Sequence, residues 1–121
     1  MTNSALALMI APPGRLSEGW QALLLATPQI ADVRQVYDAS SLPELVQALD
    51  PDLVLLDAEP FGKRAWAVLD QIKEKCAGCC CIVLICSAWQ QRQAFDAGAD
   101  EVLFKGFAAD QLSAMVKRLL P

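Results

Sequence analysis

Five short strand-like runs, each closed by a turn former or a polar residue and each followed by a stretch of helical periodicity, leave this chain few ways to fold. The runs cover residues 5–11, 33–38, 53–56, 80–86 and 101–105. Apolar runs of four to eight residues between turn signals fit strands, and those at 5–11, 53–56 and 80–86 are apolar enough to be buried on both faces. The intervening segments have a different period. Leu16, Trp20, Leu23 and Leu24 fall at i, i+4, i+7 and i+8, one helical face, before Thr27-Pro28 stops the pattern. Ser41-Leu42-Pro43-Glu44 has the spacing of a capping box, and Leu42, Leu45, Val46 and Leu49 supply the apolar face behind it. Trp66, Val68, Leu69 and Ile72 mark a third helix that ends before Gly78. A shorter helix over 90–97 is closed by Gly98, and Leu112, Met115, Val116 and Leu119 line a last one.

Strands and helices that alternate with short connections form parallel strands joined by right-handed crossovers, so helices must cover both faces of the sheet. A composition with 55% hydrophobic and only 20% charged residues agrees with a sheet buried on both sides. The expected fold class is α/β, a doubly wound, five-stranded parallel sheet, and 121 residues make one domain over 1–121.

Several functions are excluded early. The chain has no histidine, which removes Ser-His-Asp and Cys-His catalysis, imidazole metal sites and any role as a phosphohistidine donor. Its net charge is −4, and the basic residues are scattered apart from Lys63-Arg64 and Lys117-Arg118, so nucleic-acid binding by this domain is not expected. The longest apolar run, residues 79–86, is too short to cross a bilayer. No Lys or Arg precedes Arg15 to head a signal peptide, and a cytoplasmic protein is the expectation.

In open parallel sheets, functional side chains gather just beyond the carboxyl ends of the strands. The residues there are Ala11-Pro12, Asp57, Ser87 and Lys105. A carboxylate can accept a phosphoryl group, a hydroxyl can hydrogen-bond its oxygens, and an ammonium can pair with its charge. The same residues also suit solvated loops or a modest ion pair, so taken alone they leave both readings open.

Three stretches carry a resemblance to a known family: Pro51-Asp-Leu-Val-Leu-Leu-Asp57, Ile82-Val-Leu-Ile-Cys-Ser-Ala88 and Ala97-Gly-Ala-Asp-Glu-Val-Leu-Phe-Lys-Gly-Phe107. They are similar to the phosphoacceptor, hydroxyl and lysine strands of response-regulator receiver domains, and the likeness runs from first strand to last helix. The resemblance implies a flavodoxin-like fold and a role in two-component phosphorelay signalling. It also implies a sensor histidine kinase, phosphotransfer protein or output domain as partner. By that resemblance Asp57 is the phosphoacceptor, Ser87 the hydroxyl and Lys105 the lysine that pairs with the phosphoryl group.

The departures bear on activity. Family members usually place two adjacent acids after the first strand to hold Mg²⁺, where this chain has Ala11-Pro12. Mg²⁺ dehydrates reluctantly and is held by one or two carboxylates plus phosphate and water, so Asp57, even with Glu59 as a second carboxylate, makes at most a weak site. Phosphorylation at Asp57 is therefore expected to be slow or absent. Val102 stands where an aromatic switch residue is common, Gly106 replaces the usual proline after the lysine, and the segment from Ser87 to Gly98 is about one helical turn short.

Two further features look chemical. Five cysteines fall between Cys76 and Cys86, and Cys76-Ala-Gly-Cys79 has redox or zinc spacing. This pair follows a helix and precedes a strand, whereas a reactive pair sits at a helix N-terminus, and Cys80 and Cys81 should point to opposite faces. Burial as small hydrophobes is the expectation. Trp20 and Trp66 read as core, while Trp89 follows Ser87 and either covers the site or marks a partner surface. The sequence thus leaves an impaired phosphoacceptor, a phosphorylation-independent interaction module that is not an enzyme, and a small-ligand sensor at the strand ends.

Overall fold

The computed structural model describes residues 5–37 and 41–120. The strands are β1 (Ala5–Ile10), β2 (Ile30–Val36), β3 (Leu53–Asp57), β4 (Cys80–Ile85) and β5 (Glu101–Phe104). The helices are α1 (Arg15–Leu25), α2 (Leu42–Leu49), α3 (Arg64–Lys75), α4 (Gln90–Asp96) and α5 (Ala109–Leu119), with a 3-10 turn at Glu59–Phe61. All neighbouring strands run parallel, in the order β2-β1-β3-β4-β5. The chain steps from β1 to one side and then back to the other, which puts the topological switch between β1 and β3.

Alternation along each strand splits the core in two. Leu8, Ile10, Val54, Leu56, Val83 and Ile85 face α2, α3 and α4, packing on Val46, Leu69, Ile72 and Ala94. Met9, Leu53, Leu55, Ile82, Leu84 and Leu103 face α1 and α5, packing on Trp20, Leu24, Leu112 and Val116. Each such side chain contributes about 1.5–3 kcal/mol when fully buried, and the central strands are apolar on both sides because both sides are covered.

The structure corrects three local expectations. β2 starts at Ile30 rather than Val33: Ile30 pairs with Ala5 and Asp32 with Leu6, so Ala31 is an extra residue at a bulge. Asp38, expected to close that strand, lies outside the described residues. On α1, Leu16 is exposed and Ser17 is buried in its place, because the Ser17 hydroxyl donates to the Gly14 carbonyl oxygen at 3.0 Å and so carries no unpaired polar group inward. The expected capping box at Ser41 and Glu44 does not form. Ser41 is the N-cap of α2 but makes no side-chain cap bond. Its ψ of 25° is not the extended backbone that aims a cap hydroxyl, and Pro43 removes one of the amides that would need capping.

The C-terminus of α4 follows the expectation closely. Gly98 has φ of +115°, its N–H donates to the Phe95 carbonyl at 3.1 Å, and the Ala99 N–H donates to the Ala94 carbonyl at 3.0 Å. This is the paired closure that a left-handed glycine permits. A Cβ at Gly98 would come within 2.9 Å of Lys73 Cγ, so the position also needs glycine for space.

Candidate functional site

Leu55 and Leu103 both face the α1 and α5 side, so the two-residue period carries Asp57 and Lys105 to that same side, just past the strand ends. β4 lies between them and holds both backbones: Asp57 pairs with Leu84 in the ladder, and the Lys105 N–H donates to the Ile85 carbonyl at 3.0 Å. The two side chains meet over the top of β4. Lys105 Nζ lies 3.0 Å from Asp57 Oδ1 and 2.5 Å from Glu59 Oε1. The Glu59 backbone N–H donates to the same Asp57 oxygen at 3.3 Å. Asp57 is 4% exposed and Lys105 18%, while Glu59 reaches in from the surface at 60%. On its other side the ammonium is 5.9 Å from the ring centre of the buried Trp20, close enough for a cation–π attraction.

The charges answer one another. Burial works against the Lys105 ammonium, but the hydrogen bonds it donates to Glu59 and Asp57 outweigh it and raise its pKa. The hydrogen bond from Lys105 lowers that of Glu59. Cys86, exposed at the end of β4, feels the same group: partial burial and the neighbouring Glu59 charge push its thiol up.

A cleft of about 350 Å³ opens in front of this cluster, between Asp57, Glu59 and Lys105 on one wall and Pro12, Pro13 and Arg15 on the other. The β1 end thus contributes proline where charge would be needed to bind a cation. Two carboxylates remain, and both already rest on Lys105. Among the described residues no group of three or more acidic, cysteine or histidine residues is arranged to hold a metal ion. The donor set does not fit Mg²⁺.

Of the residues singled out in the sequence, Asp57, Glu59 and Lys105 come together. Ser87 lies two residues past the end of β4, half-buried, and its backbone N–H donates to Gln90 Oε1 at 3.1 Å. Among the described residues its hydroxyl makes no hydrogen bond to Asp57 or Lys105. Trp89 is exposed and does not line the cleft. Trp20 is buried as expected, and Trp66 is half-buried against the α3 side of the core. Cys81 packs on the α2 and α3 side and Cys80 on the other, the opposite facing expected of neighbours in a strand. What sequence reasoning missed is the use of Glu59. The sequence offers Glu59 as a second carboxylate beside Asp57 but gives no sign of its contact with Lys105.

A family model described as "Response regulator receiver domain" matches residues 16–117. The chain belongs to the response-regulator receiver family. The nitrate/nitrite response regulator protein NarL of Escherichia coli (strain K12) is 30% identical over 110 residues, 89% of this chain and 51% of that protein. The chain therefore spans about half the length of the curated relatives it matches. Among solved structures, a putative pilus assembly-related protein from Burkholderia pseudomallei K96243 superposes with a TM-score of 0.85 at 17% identity, covering 99% of this chain and 92% of that one. An orphan response regulator of H. pylori does so with a TM-score of 0.81 at 20% identity over 100% of both chains. These likenesses show the receiver fold, a flavodoxin-type sheet of five parallel strands. Receiver domains are signalling modules that work with histidine kinases or phosphotransfer proteins and with output domains, and they generally bind Mg²⁺ at an acidic pocket. In this receiver domain the cleft at the strand ends is lined by Pro12 and Pro13 together with Asp57, Glu59 and Lys105.

Proposed function

We propose that residues 1–121 form a receiver domain of a two-component system whose output does not depend on efficient Mg²⁺-dependent phosphorylation of Asp57, and which serves instead as a protein-interaction module held in one arrangement. The supporting observation is the Lys105 ammonium bridging Asp57 and Glu59 beside a β1 end that offers only Ala11 and Pro12. Phosphoryl transfer is catalysed almost wholly by positioning and by neutralising charge on the phosphoryl oxygens and the nucleophile. Here an incoming phosphoryl group meets two carboxylates and one ammonium already engaged with both. The output side points the same way. Shifting a two-state element from about 1:99 to 99:1 needs about 5.5 kcal/mol of differential interaction. Val102 in place of an aromatic switch and a seven-residue α4 leave little to supply it. The partner is a histidine kinase, a phosphotransfer protein or an output domain, and the setting is cytoplasmic.

A second reading keeps Asp57 as a working phosphoacceptor, with Ser87 and Lys105 assisting. The 3.0 Å approach of Lys105 to a buried strand-end carboxylate favours it. Incubation with acetyl phosphate, with and without Mg²⁺, followed by intact mass of wild type and Asp57→Asn, separates the two. The interaction-module reading expects no adduct above the Asp57→Asn background. A Mg²⁺-dependent adduct that the substitution abolishes overturns it in favour of the phosphoacceptor.

A further inference from the structure

A carboxylate pair in this family's fold normally attracts a divalent ion, yet here the pair is engaged by the protein itself. Asp57 is buried and cannot swing away, and Glu59 is tied to it through its own backbone N–H at 3.3 Å. The two carboxylates converge on one point, and at that point sits Nζ of Lys105, 3.0 Å from one and 2.5 Å from the other. Trp20 closes a third side with its ring face. An ammonium has three N–H donors and no acceptor, so two carboxylates and an aromatic face are the surroundings that suit it.

We propose that Lys105 is the resident cation of this site: clamped by Asp57 and Glu59, its ammonium takes the place a divalent metal would need. The inference deepens the reading above, since both require the wild-type site to bind divalent ions poorly, and it adds the cause. Loss of the β1 acids removes ligands, but the lysine does more, because it holds a positive charge on the carboxylates that remain. A metal ion must come to about 2.0–2.1 Å from a carboxylate oxygen, and it would do so against a cation already in contact with that oxygen. The lysine is covalently attached and always present, so a dissolved ion competes with it at a disadvantage. Removal of the ammonium alone leaves a buried and a surface-reaching carboxylate aimed at one point beside an open cleft. That is the pair of protein ligands with which a hydrated divalent ion is ordinarily held.

The test uses Mn²⁺ as the probe and follows thermal unfolding, because an ion that binds only the folded state raises the midpoint even when a variant is weakened. Paramagnetic broadening of backbone amide signals locates the ion. Wild type should show no Mn²⁺-dependent shift in midpoint at millimolar concentrations. Lys105→Met, and Lys105→Gln as a second version, should bind Mn²⁺ about tenfold or more tighter than wild type, as the loss of one contacting unit charge implies. Broadening should centre on Ala58 and Glu59, and adding Asp57→Asn or Glu59→Gln to Lys105→Met should remove the gain. If wild type and both lysine variants alike show no Mn²⁺-dependent shift, the resident-cation proposal fails while the functional reading stands. If wild type itself shows a Mn²⁺-dependent shift as large as that of Lys105→Met, both fail.

Discussion

Lys105→Met should destabilise this domain more than Asp57→Asn, and the reason lies in what each change leaves behind. Without Lys105, the Asp57 carboxylate keeps only the Glu59 N–H at 3.3 Å and remains 4% exposed. Breaking a buried pair from one side strands the other charge and costs about 3–5 kcal/mol, and the partial exposure of Lys105 places this case near about 3 kcal/mol. Without the Asp57 charge, Lys105 still has Glu59 at 2.5 Å, and an asparagine can still accept a hydrogen bond, so the cost is about 1 kcal/mol. In the double variant no buried charge is stranded, and it should be more stable than Lys105→Met alone. Urea unfolding at neutral pH measures all four proteins. At a slope of about 1–3 kcal/mol per molar, Lys105→Met should lower the midpoint by roughly 1–3 M, with the slope unchanged. Equal losses for the two single variants, or a double variant at the sum of both, would refute the claim that Asp57 is a buried charge kept by the lysine.

Other consequences follow from the same structure. Gly98→Ala should cost about 1–3 kcal/mol, because φ of +115° and the 2.9 Å approach to Lys73 both oppose a Cβ. Gly78→Ala, with open space around it, should stay within about 0.5 kcal/mol of wild type or stabilise the fold, as urea midpoints will tell. Because Lys105 lowers the pKa of Glu59, the pair stabilises the fold above the ordinary carboxylate range and loses that contribution as pH falls through the lowered folded value. The raised pKa of Lys105 has the opposite sense: its contribution is complete below the ordinary lysine value and is lost as pH rises through the folded one. A urea-midpoint profile of wild type minus Glu59→Gln should therefore be flat through neutrality and close at the acid end; a gap that widens in acid would contradict the assignment. In native protein, a chromogenic disulfide reagent should titrate Cys86 first. Burial pushes Cys76 up to about 11, the neighbouring Cys81 thiol with burial raises Cys79 further, and Cys81 is enclosed, so rapid reaction of all five would contradict the packing.

Much of this architecture is legible in the sequence because sheet burial writes itself into composition. Leu53-Val54-Leu55-Leu56 is apolar at every position since helices cover both faces, and the charge that follows it has to fall at the strand end, where Asp57 is found. Lys105 is placed by the same logic. Local periodicity is less informative where a polar group satisfies itself. Ser17 replaces Leu16 in the core through one hydrogen bond to Gly14, a bond that no hydrophobic pattern encodes. Ser41 illustrates the converse, since a cap motif can be present while the backbone angle denies the bond. The part of the site that could not be read is a contact between residues 46 positions apart: the Glu59 carboxylate lies on Lys105 only because the 3-10 turn and the end of β5 are brought together by strand order. Ser87, two residues past β4, stands outside the regular period, so alternation does not fix its side-chain direction, and its backbone N–H is held by Gln90 Oε1 at the start of α4.

The most direct measurement of the central claim is the backbone amide spectrum of the wild-type domain with beryllofluoride and Mg²⁺, compared with the spectrum without them. A module held in one arrangement by its own lysine predicts superimposable spectra, with no shifts propagating from Asp57 into α4, β5 and Lys105. A saturable set of shifts through those elements, lost in Asp57→Asn, would mean that the site accepts a phosphoryl group and switches.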